Sequence, residues 1–172
     1  EGTFAEDAPI IPVSALHKAN LDILIEAIQK YMPTPKRDES KDPIMYVIRS
    51  FDVNKPGTGI DKLKGGVLGG SIVQGVLRVG DEIEILPGAK IKEKGKIRFV
   101  PLHTKITGLR SGEVSLKVAR PGGLIGVSTE LDPALTKADA MISNVVGKPG
   151  RLPEPVTELS LEYELFDTVV GI

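Results

Sequence analysis

Residues 65–88, GGVLGGSIVQGVLRVGDEIEILPG, decide the fold of this 172-residue chain. The second half, DEIEIL (81–86), alternates acidic and apolar residues with the two-residue period of a half-buried strand. The first half, VLGGSIV (67–73), is apolar on both faces and carries two glycines, which inside a strand mark a bulge or a sharp bend. We expect the proline and glycine at 87–88 to end the unit. Two strands joined by a tight corner form a segment of a closed barrel.

The composition narrows the class of protein and of site. No apolar run approaches the roughly 20 residues of a membrane-spanning helix, and the absence of cysteine excludes disulfides and thiolate metal sites. With a formal charge of −1, the protein as a whole does not attract nucleic acid electrostatically. Any nucleic-acid binding therefore needs a local basic patch. The two histidines, His17 and His103, are far apart and have no carboxylate or cysteine at ligand spacing. We therefore expect no metal site, no catalytic residue, no membrane or DNA partner, and a cytoplasmic location.

The N-terminal part contains the clearest helix pattern of the chain. Asn20 is the expected N-cap and Pro33 the expected stop. The apolar positions recur at helical spacing, at Leu21, Leu24, Ile25 and Ile28. This face needs a sheet that the chain does not contain, so residues 1–33 read as the C-terminal tail of a larger α/β domain.

The remainder predicts a mainly β protein. Residues 34–42 are polar, charged and rich in proline, as in a linker. Residues 43–147 contain regularly spaced strands, the last expected at 141–146, and predict a closed antiparallel barrel. Residues 148–172 read as a second linker followed by a lone strand, since Leu159, Leu161, Tyr163 and Leu165 alternate with polar residues.

Several motifs carry a family resemblance. GSIVQGVLRVGDEIEI (70–85) resembles the second domain of translational GTPases, the elongation factor Tu family. RSFDVNKPG (49–57), KGGV (64–67), ARPGG (119–123) and LDPALTKAD (131–139) are similar to the gamma-subunit family of archaeal and eukaryotic translation initiation factor 2. The likeness covers nearly the whole chain. It implies the tail of a GTP-binding domain, all of domain two, and the first strand of domain three.

The same resemblance implies a guanine-recognition motif at Ser14, Ala15 and Leu16, which precede the predicted helix. A backbone N–H at Ala15 could donate to the oxygen at position six of guanine and reject the amino group of adenine, because that mismatch leaves polar groups unpaired. The sequence has no phosphate-binding loop, no switch region and no Asn-Lys-x-Asp segment, and Asn54-Lys55 belongs to a β loop. GTP and Mg²⁺ would therefore be cofactors of the longer protein. A plain strand-to-helix turn is the structural alternative.

In relatives of this family, domain two holds the last adenosine of the aminoacylated acceptor end. The resemblance implies initiator methionyl-tRNA, the small ribosomal subunit, and the alpha and beta subunits of the same factor as partners. A shallow apolar slot with open backbone amides and a few cations suits a splayed base. The candidate tRNA-binding residues are Arg120, Gly122, Gly123, Leu124, Leu135, Thr136 and Lys137. The structural alternative for each is a well-formed barrel turn.

Two other functions stay open at this stage. The barrel could belong to another translational GTPase, such as a selenocysteine-specific elongation factor, or serve only as a protein-interaction scaffold. The basic run at 90–98 fits a solvated loop as well as an RNA contact.

We predict that the 172-residue chain alone neither binds GTP tightly nor hydrolyses it. Only the three-residue guanine motif is present, and nothing in the sequence positions a phosphate or an attacking water. Phosphate release from GTP should equal that of buffer alone. Turnover above that background would contradict the prediction.

Overall fold

The computed structural model describes residues 5–165 and divides into two compact units, one ending at Lys36 and one beginning at Arg37. No helix in this described part is long and apolar enough to cross a membrane.

The first unit contains the predicted helix, α1 (Leu21–Tyr31). Asn20 precedes it as expected but does not cap it, because its backbone is left-handed (φ 58°) and its side-chain amide donates to the Pro12 carbonyl at 2.9 Å. No residue of α1 is buried, and Ile25 on the apolar face is 58% exposed. Within the described part of this unit, only Ser14 and Ala19 form a β-bridge, and Ile10, four residues before Ser14, is 95% exposed.

The second unit is a closed six-stranded antiparallel barrel, which confirms the predicted fold class. The closed ring runs β4-β9-β1-β2-β8-β5 and returns to β4, while β6 extends from β5 and β3 pairs with β7 in a small separate sheet. The strands are β1 (Ile44–Phe51), β2 (Val67–Gln74), β3 (Leu77–Arg78), β4 (Glu82–Glu93), β5 (Lys96–Ser111), β6 (Val114–Leu116), β7 (Val118–Ala119), β8 (Ile125–Thr129) and β9 (Val145–Gly147). A short helix, α2 (Pro133–Thr136), and two 3₁₀ turns (Ile60–Lys62 and Lys137–Asp139) complete the unit.

Alternation along the strands builds the core. In β2, Leu68 and Ile72 point into the barrel, and Ile83 and Ile85 of β4 do the same. Each fully buried aliphatic side chain contributes about 1.5–3 kcal/mol relative to exposure. Because side chains alternate along β2, the residues between these inward-facing positions face outward, which places Gly69 on the outer surface.

Gly70 lies opposite a bulge in the neighbouring strand. The pairing of β1 with β2 shifts register between Val47 and Arg49, and these residues face Gly70 and Gly69. A Cβ on Gly70 would overlap the backbone oxygen of Tyr46. The predicted irregularity at the glycine pair is therefore present, with the extra residue on β1.

The prediction that β4 ends at the Pro87-Gly88 pair is wrong. The register of β4 with β5 shifts between Ile85 and Ala89, and pairing then resumes as far as Glu93. The buried Asn144 side chain accepts the Gly88 N–H at 2.7 Å and so satisfies a donor that the bulge removes from the ladder. The strand continues as a two-stranded ribbon (residues 89–100).

The basic run at 90–98 lies on this ribbon. Lys90 is paired in register with Phe99 and Lys92 with Ile97. Arg98 lies 3.7 Å from Glu93 in an exposed ion pair. The charges are solvent-exposed, which both a solvated segment and an RNA contact require.

Two predicted strands at the C-terminal end differ in the structure. The last barrel strand covers only Val145–Gly147, because Met141 donates its N–H to the Ser50 hydroxyl at 3.0 Å and begins a turn. Residues 148–165 contain no strand, and Leu159 is 72% exposed. Period-two alternation predicts a strand only where a neighbouring strand can pair with it, and none does so within the described residues. Residues 166–172, also part of that prediction, lie outside them.

We predict that Gly70→Ala destabilises the barrel, because its methyl group must displace the backbone of β1. Overpacking of this kind costs about 1–3 kcal/mol or more. The midpoint of urea denaturation measures the effect. Gly126→Ala is the matched control, since a Cβ there would have no neighbour closer than 4.0 Å. Equal midpoints for the two variants would show that the β1–β2 approach is not tight.

Candidate functional site: a glycine-floored trough on the barrel

Two glycines without side chains form the floor of a shallow trough on the outer barrel surface. Gly69 of β2 is the register partner of Gly126 of β8. Gly126 is in turn the partner of Arg110 on β5, and Gly69 is the partner of Arg49 on β1. A Cβ on Gly126 would meet only the Arg110 carbonyl and a Val67 methyl, both at 4.0 Å. We call this surface the glycine trough.

An aromatic ring and two cations border the trough. The Phe51 ring reaches within 3.7 Å of the Cβ position of Gly69, and Phe51 is 39% exposed. Arg110, the register partner of Gly126, lines the same cavity as Phe51. The cavity has a volume of about 560 Å³ and is also lined by Val53, Lys64, Val67, Gly112 and Ser128. Such a surface can stack a splayed base and neutralise the phosphates beside it.

The predicted residues Gly122, Gly123 and Leu124 lie at one end of this trough. The Ser71 hydroxyl donates to the Gly123 carbonyl at 3.0 Å, and Ser71 is two residues from Gly69 along β2, or about 7 Å. Gly122 and Gly123 have positive φ angles of 120° and 56°, with no atom within 4 Å of either Cβ position. Leu124 is 65% exposed. The turn is therefore open to a ligand.

Arg120 precedes this turn and is already ion-paired. Its Nε lies 3.0 Å from a carboxylate oxygen of Glu39, and both side chains are at least half exposed. An exposed pair of this kind contributes about 0–1 kcal/mol and is screened by salt. Arg120 remains accessible, with part of its charge compensated.

The second predicted group, Leu135, Thr136 and Lys137, lies at the other end of the trough. Thr136 is fully buried, and its hydroxyl lies 3.1 Å from the carbonyl oxygens of Phe51 and Pro133. It supports the chain behind Phe51 and offers no surface to a ligand. Leu135 is half-buried and packs against the core.

Lys137 is exposed and lines a cavity of about 540 Å³ beside Phe51. Asp52 lines the same cavity. Hydrogen bonds from Asn54, backbone first and then side chain, hold the pKa of Asp52 below its usual value, and the charge of Lys137 adds to this. Lys137 thus lies near both an aromatic ring and a carboxylate.

The two predicted groups do not form one compact slot. A Cβ on Gly66 would strike the Thr136 side chain, whereas the Gly122 N–H donates to Ile72 at 3.3 Å. These two contacts are six residues apart along β2, which corresponds to about 20 Å. Arg120 and Lys137 therefore lie at opposite ends of the glycine trough and not at one slot.

Sequence reasoning missed the residues at the centre of the trough. Phe51 lies within the quoted motif RSFDVNKPG, and Gly126 alternates with the inward-facing Ile125 and Val127. Nothing in the sequence pairs them with Arg110, because the register between three strands brings them together.

A second arginine beside the floor is held by a clasp, which we define as Arg49 with Asp139. The Arg49 Nε lies 3.0 and 3.1 Å from the two carboxylate oxygens of Asp139, which also accepts the Ser50 N–H at 2.8 Å. These bonds, first that of Ser50 and then that of Arg49, hold the pKa of Asp139 below its usual value. Ala138 and Asp139 both have left-handed backbones, with φ 53° and 60°. The clasp holds this strained turn against β1.

The residues of the predicted guanine motif form a turn before α1. Ser14 and Ala19 exchange backbone hydrogen bonds at 3.2 and 3.1 Å, and the Ser14 hydroxyl accepts the His17 N–H. Within residues 5–165 the Ala15 N–H has no partner, as recognition of a base oxygen requires. Leu16 is exposed.

The described residues offer no set of side-chain ligands for Mg²⁺. Residues 5–165 contain no group of three or more histidine, aspartate or glutamate side chains that could hold a metal ion. His103 instead lies 3.6 Å from Glu84. Glu84 also accepts the Gly150 N–H at 3.0 Å, and this hydrogen bond joins the chain after β9 to β4.

Comparison with known proteins agrees with this architecture. The family profile described as elongation factor Tu domain 2 matches residues 65–145, which include the floor of the trough. The barrel is thus a translation-factor domain of the elongation factor Tu domain 2 type.

Relatives along the whole chain identify the family more closely. The translation initiation factor 2 subunit gamma of Aeropyrum pernix is 57% identical over 100% of this chain, and those of Pyrococcus furiosus and Thermococcus kodakarensis are 60% and 61% identical over 99%. The chain belongs to the family of translation initiation factor 2 gamma subunits. It spans 42% of the length of these curated relatives.

We predict that Asp139→Asn lowers stability near neutral pH and makes stability less dependent on pH on the acid side. Because the pKa of Asp139 is lowered by folding, its contribution is present above about pH 4 and is lost as the pH falls through the folded-state pKa. Asparagine does not titrate in this range. Urea denaturation at about pH 6 and about pH 3 measures the difference.

Asp61→Asn controls for the change in net charge, since Asp61 makes no hydrogen bond within the described residues. An unchanged pH dependence in Asp139→Asn would show that the clasp is not formed by the charged carboxylate.

Proposed function

We propose that this chain is the part of a GTP-dependent translation initiation factor that binds the aminoacylated acceptor end of initiator methionyl-tRNA, for delivery to the small ribosomal subunit. The observation that carries the proposal is the glycine trough, which has no side chains at Gly69 and Gly126 and is bordered by Phe51 and Arg110. The family to which the chain belongs supports the assignment to initiation.

The trough suits a single-stranded end for a physical reason. A base splayed from its helix exposes two apolar faces, and Phe51 offers a ring on which one face can stack. The absence of side chains on Gly69 and Gly126 lets the base approach the sheet closely. Arg110 and Lys64 supply positive charge beside the base, where the phosphates of the same strand would lie.

Such a surface recognises the shape and the charge of a nucleic-acid strand and not its base sequence. The backbone groups of Gly69 and Gly126 lie in the sheet, between strands that pair on both sides. Stacking and phosphate contacts do not distinguish one nucleotide sequence from another, so the common acceptor end of tRNA is a suitable ligand. The open turn at Gly122 and Gly123 then extends the surface beyond the base.

We assign the other segments from the family to which the chain belongs. Residues 1–33 are the tail of the GTP-binding domain, with Ser14, Ala15 and Leu16 facing the guanine base, and residues 34–42 are the linker. Residues 148–172 are a linker and the start of domain three. GTP and Mg²⁺ are bound by the rest of the longer protein, which also associates with alpha and beta subunits and acts in the cytoplasm.

We predict that Gly126→Val in the full-length, GTP-loaded protein weakens binding of initiator methionyl-tRNA about tenfold or more, since one lost stacking contact is worth about 1–3 kcal/mol. The valine fills the floor of the trough, and we expect the barrel to stay folded because a Cβ at Gly126 has no neighbour closer than 4.0 Å. Filter binding at several salt concentrations should give an unchanged salt slope, since no cation is removed. Phe51→Leu should weaken binding in the same way.

Gly59→Val is the matched control, because Gly59 lies in the β1–β2 loop with no atom within 4 Å of its Cβ position. Normal affinity in both trough variants, with thermal denaturation showing a folded protein, would favour a barrel that serves only as an interaction scaffold. Preference for selenocysteinyl-tRNA in the unsubstituted protein would favour the selenocysteine-specific factor.

A further inference from the structure

We propose that Arg49 is a further phosphate-binding residue of the glycine trough, and that Asp139 is the residue that positions it. The proposal rests on the proposed function above. It adds a second arginine to the surface, on the side of the floor opposite Arg110.

The position of Arg49 supports this role. Its Cβ lies 3.4 Å from the Cβ position of Gly69, so the side chain leaves the backbone at the edge of the floor. Arg49 is also two residues from Phe51 on the same strand. The side chain is 66% exposed although its Nε is fixed by Asp139. A cation at this place neighbours the phosphates of any strand whose base stacks on Phe51.

The donors of Arg49 are divided between two directions. Asp139 takes the Nε–H, and within residues 5–165 the Nη1 and Nη2 groups have no partner. A guanidinium is planar and carries five donors in a fixed geometry, so one edge can be held while the other binds an anion bidentately. The clasp therefore restricts the orientation of the guanidinium before a ligand arrives and lowers the entropy that binding must remove.

A lysine cannot divide its donors in this way. Its ammonium group is a single point of charge, and in contact with Asp139 it would be held at the carboxylate. Arg49→Lys should thus keep the ion pair with Asp139 and lose the phosphate contact. This difference separates a binding role from a purely structural one, in which arginine and lysine would both close the turn onto β1.

The experiment compares Arg49→Lys and Arg49→Gln in the full-length, GTP-loaded protein, with initiator methionyl-tRNA as the ligand. We expect both variants to bind about three- to tenfold more weakly, as for loss of one partly exposed charged hydrogen bond. The slope of log K against log salt should decrease in magnitude by about 0.7–0.9, the value for one phosphate contact. The midpoint of thermal denaturation of Arg49→Lys should be close to that of the unsubstituted protein.

Arg98→Lys is the matched control, because Arg98 forms an exposed ion pair with Glu93 on the ribbon, away from the trough. It should leave both affinity and salt slope unchanged.

Each alternative result has a distinct meaning. If Arg49→Gln weakens binding and Arg49→Lys does not, the inference that Arg49 divides its donors between Asp139 and a phosphate is overturned. A positive charge without the planar guanidinium would then suffice. Normal binding by both Arg49 variants, with weakened binding by Gly126→Val, would overturn this inference and leave the proposed function standing. Normal binding by all three would overturn both.

Discussion

The close approach of β1 and β2 at Gly70 is the constraint on which the rest of the barrel depends. Gly70 faces inward, and its missing side chain leaves room for the backbone of Tyr46. The next residue toward the N-terminus, Gly69, must then face outward, because side chains alternate along a strand. One glycine of the pair thus permits the strands to close, and the other leaves the outer surface bare beside Gly126. The fold and the candidate site arise from the same dipeptide.

The segment after β8 shows how packing supports that surface. The buried Thr136 hydroxyl holds the end of β1, and Asp139 fixes Arg49 and the Ser50 N–H. Both contacts join residues that are far apart in sequence, and both lie beside Phe51. The motif LDPALTKAD therefore acts mainly from behind the trough, and Lys137 is its exposed cation.

Local patterns predicted the elements and the closed barrel, because period and turn residues depend on a few neighbouring positions. They failed where a distant partner decides the outcome. Pro87-Gly88 looked like a strand end, but the Asn144 side chain accepts the Gly88 N–H and β4 continues. The alternation at 159–165 looked like a strand, and no neighbour pairs with it within the described residues.

The candidate site shows the same limit. The turn at Gly122–Leu124 was found from its own residues, whereas Phe51, Gly126 and Arg110 meet only through the register of three strands. A one-residue change in that register would turn the glycines inward and the apolar residues outward. The sequence could therefore indicate the two ends of the trough, at Gly122–Leu124 and at Lys137, and not its centre.

The ribbon formed by residues 89–100 has a consequence for how copies of the protein behave in concentrated solution. Residues 89–93 and 96–100 pair only with each other within the described residues, so each strand has an open edge. Open edges recruit further strands and start aggregation. Lys90, Lys92 and Lys96 place like charges along these edges, and a second ribbon approaching in register would meet repulsion before its amides could pair. The lysines therefore let a strand pair extend beyond the barrel without becoming a template for fibre growth.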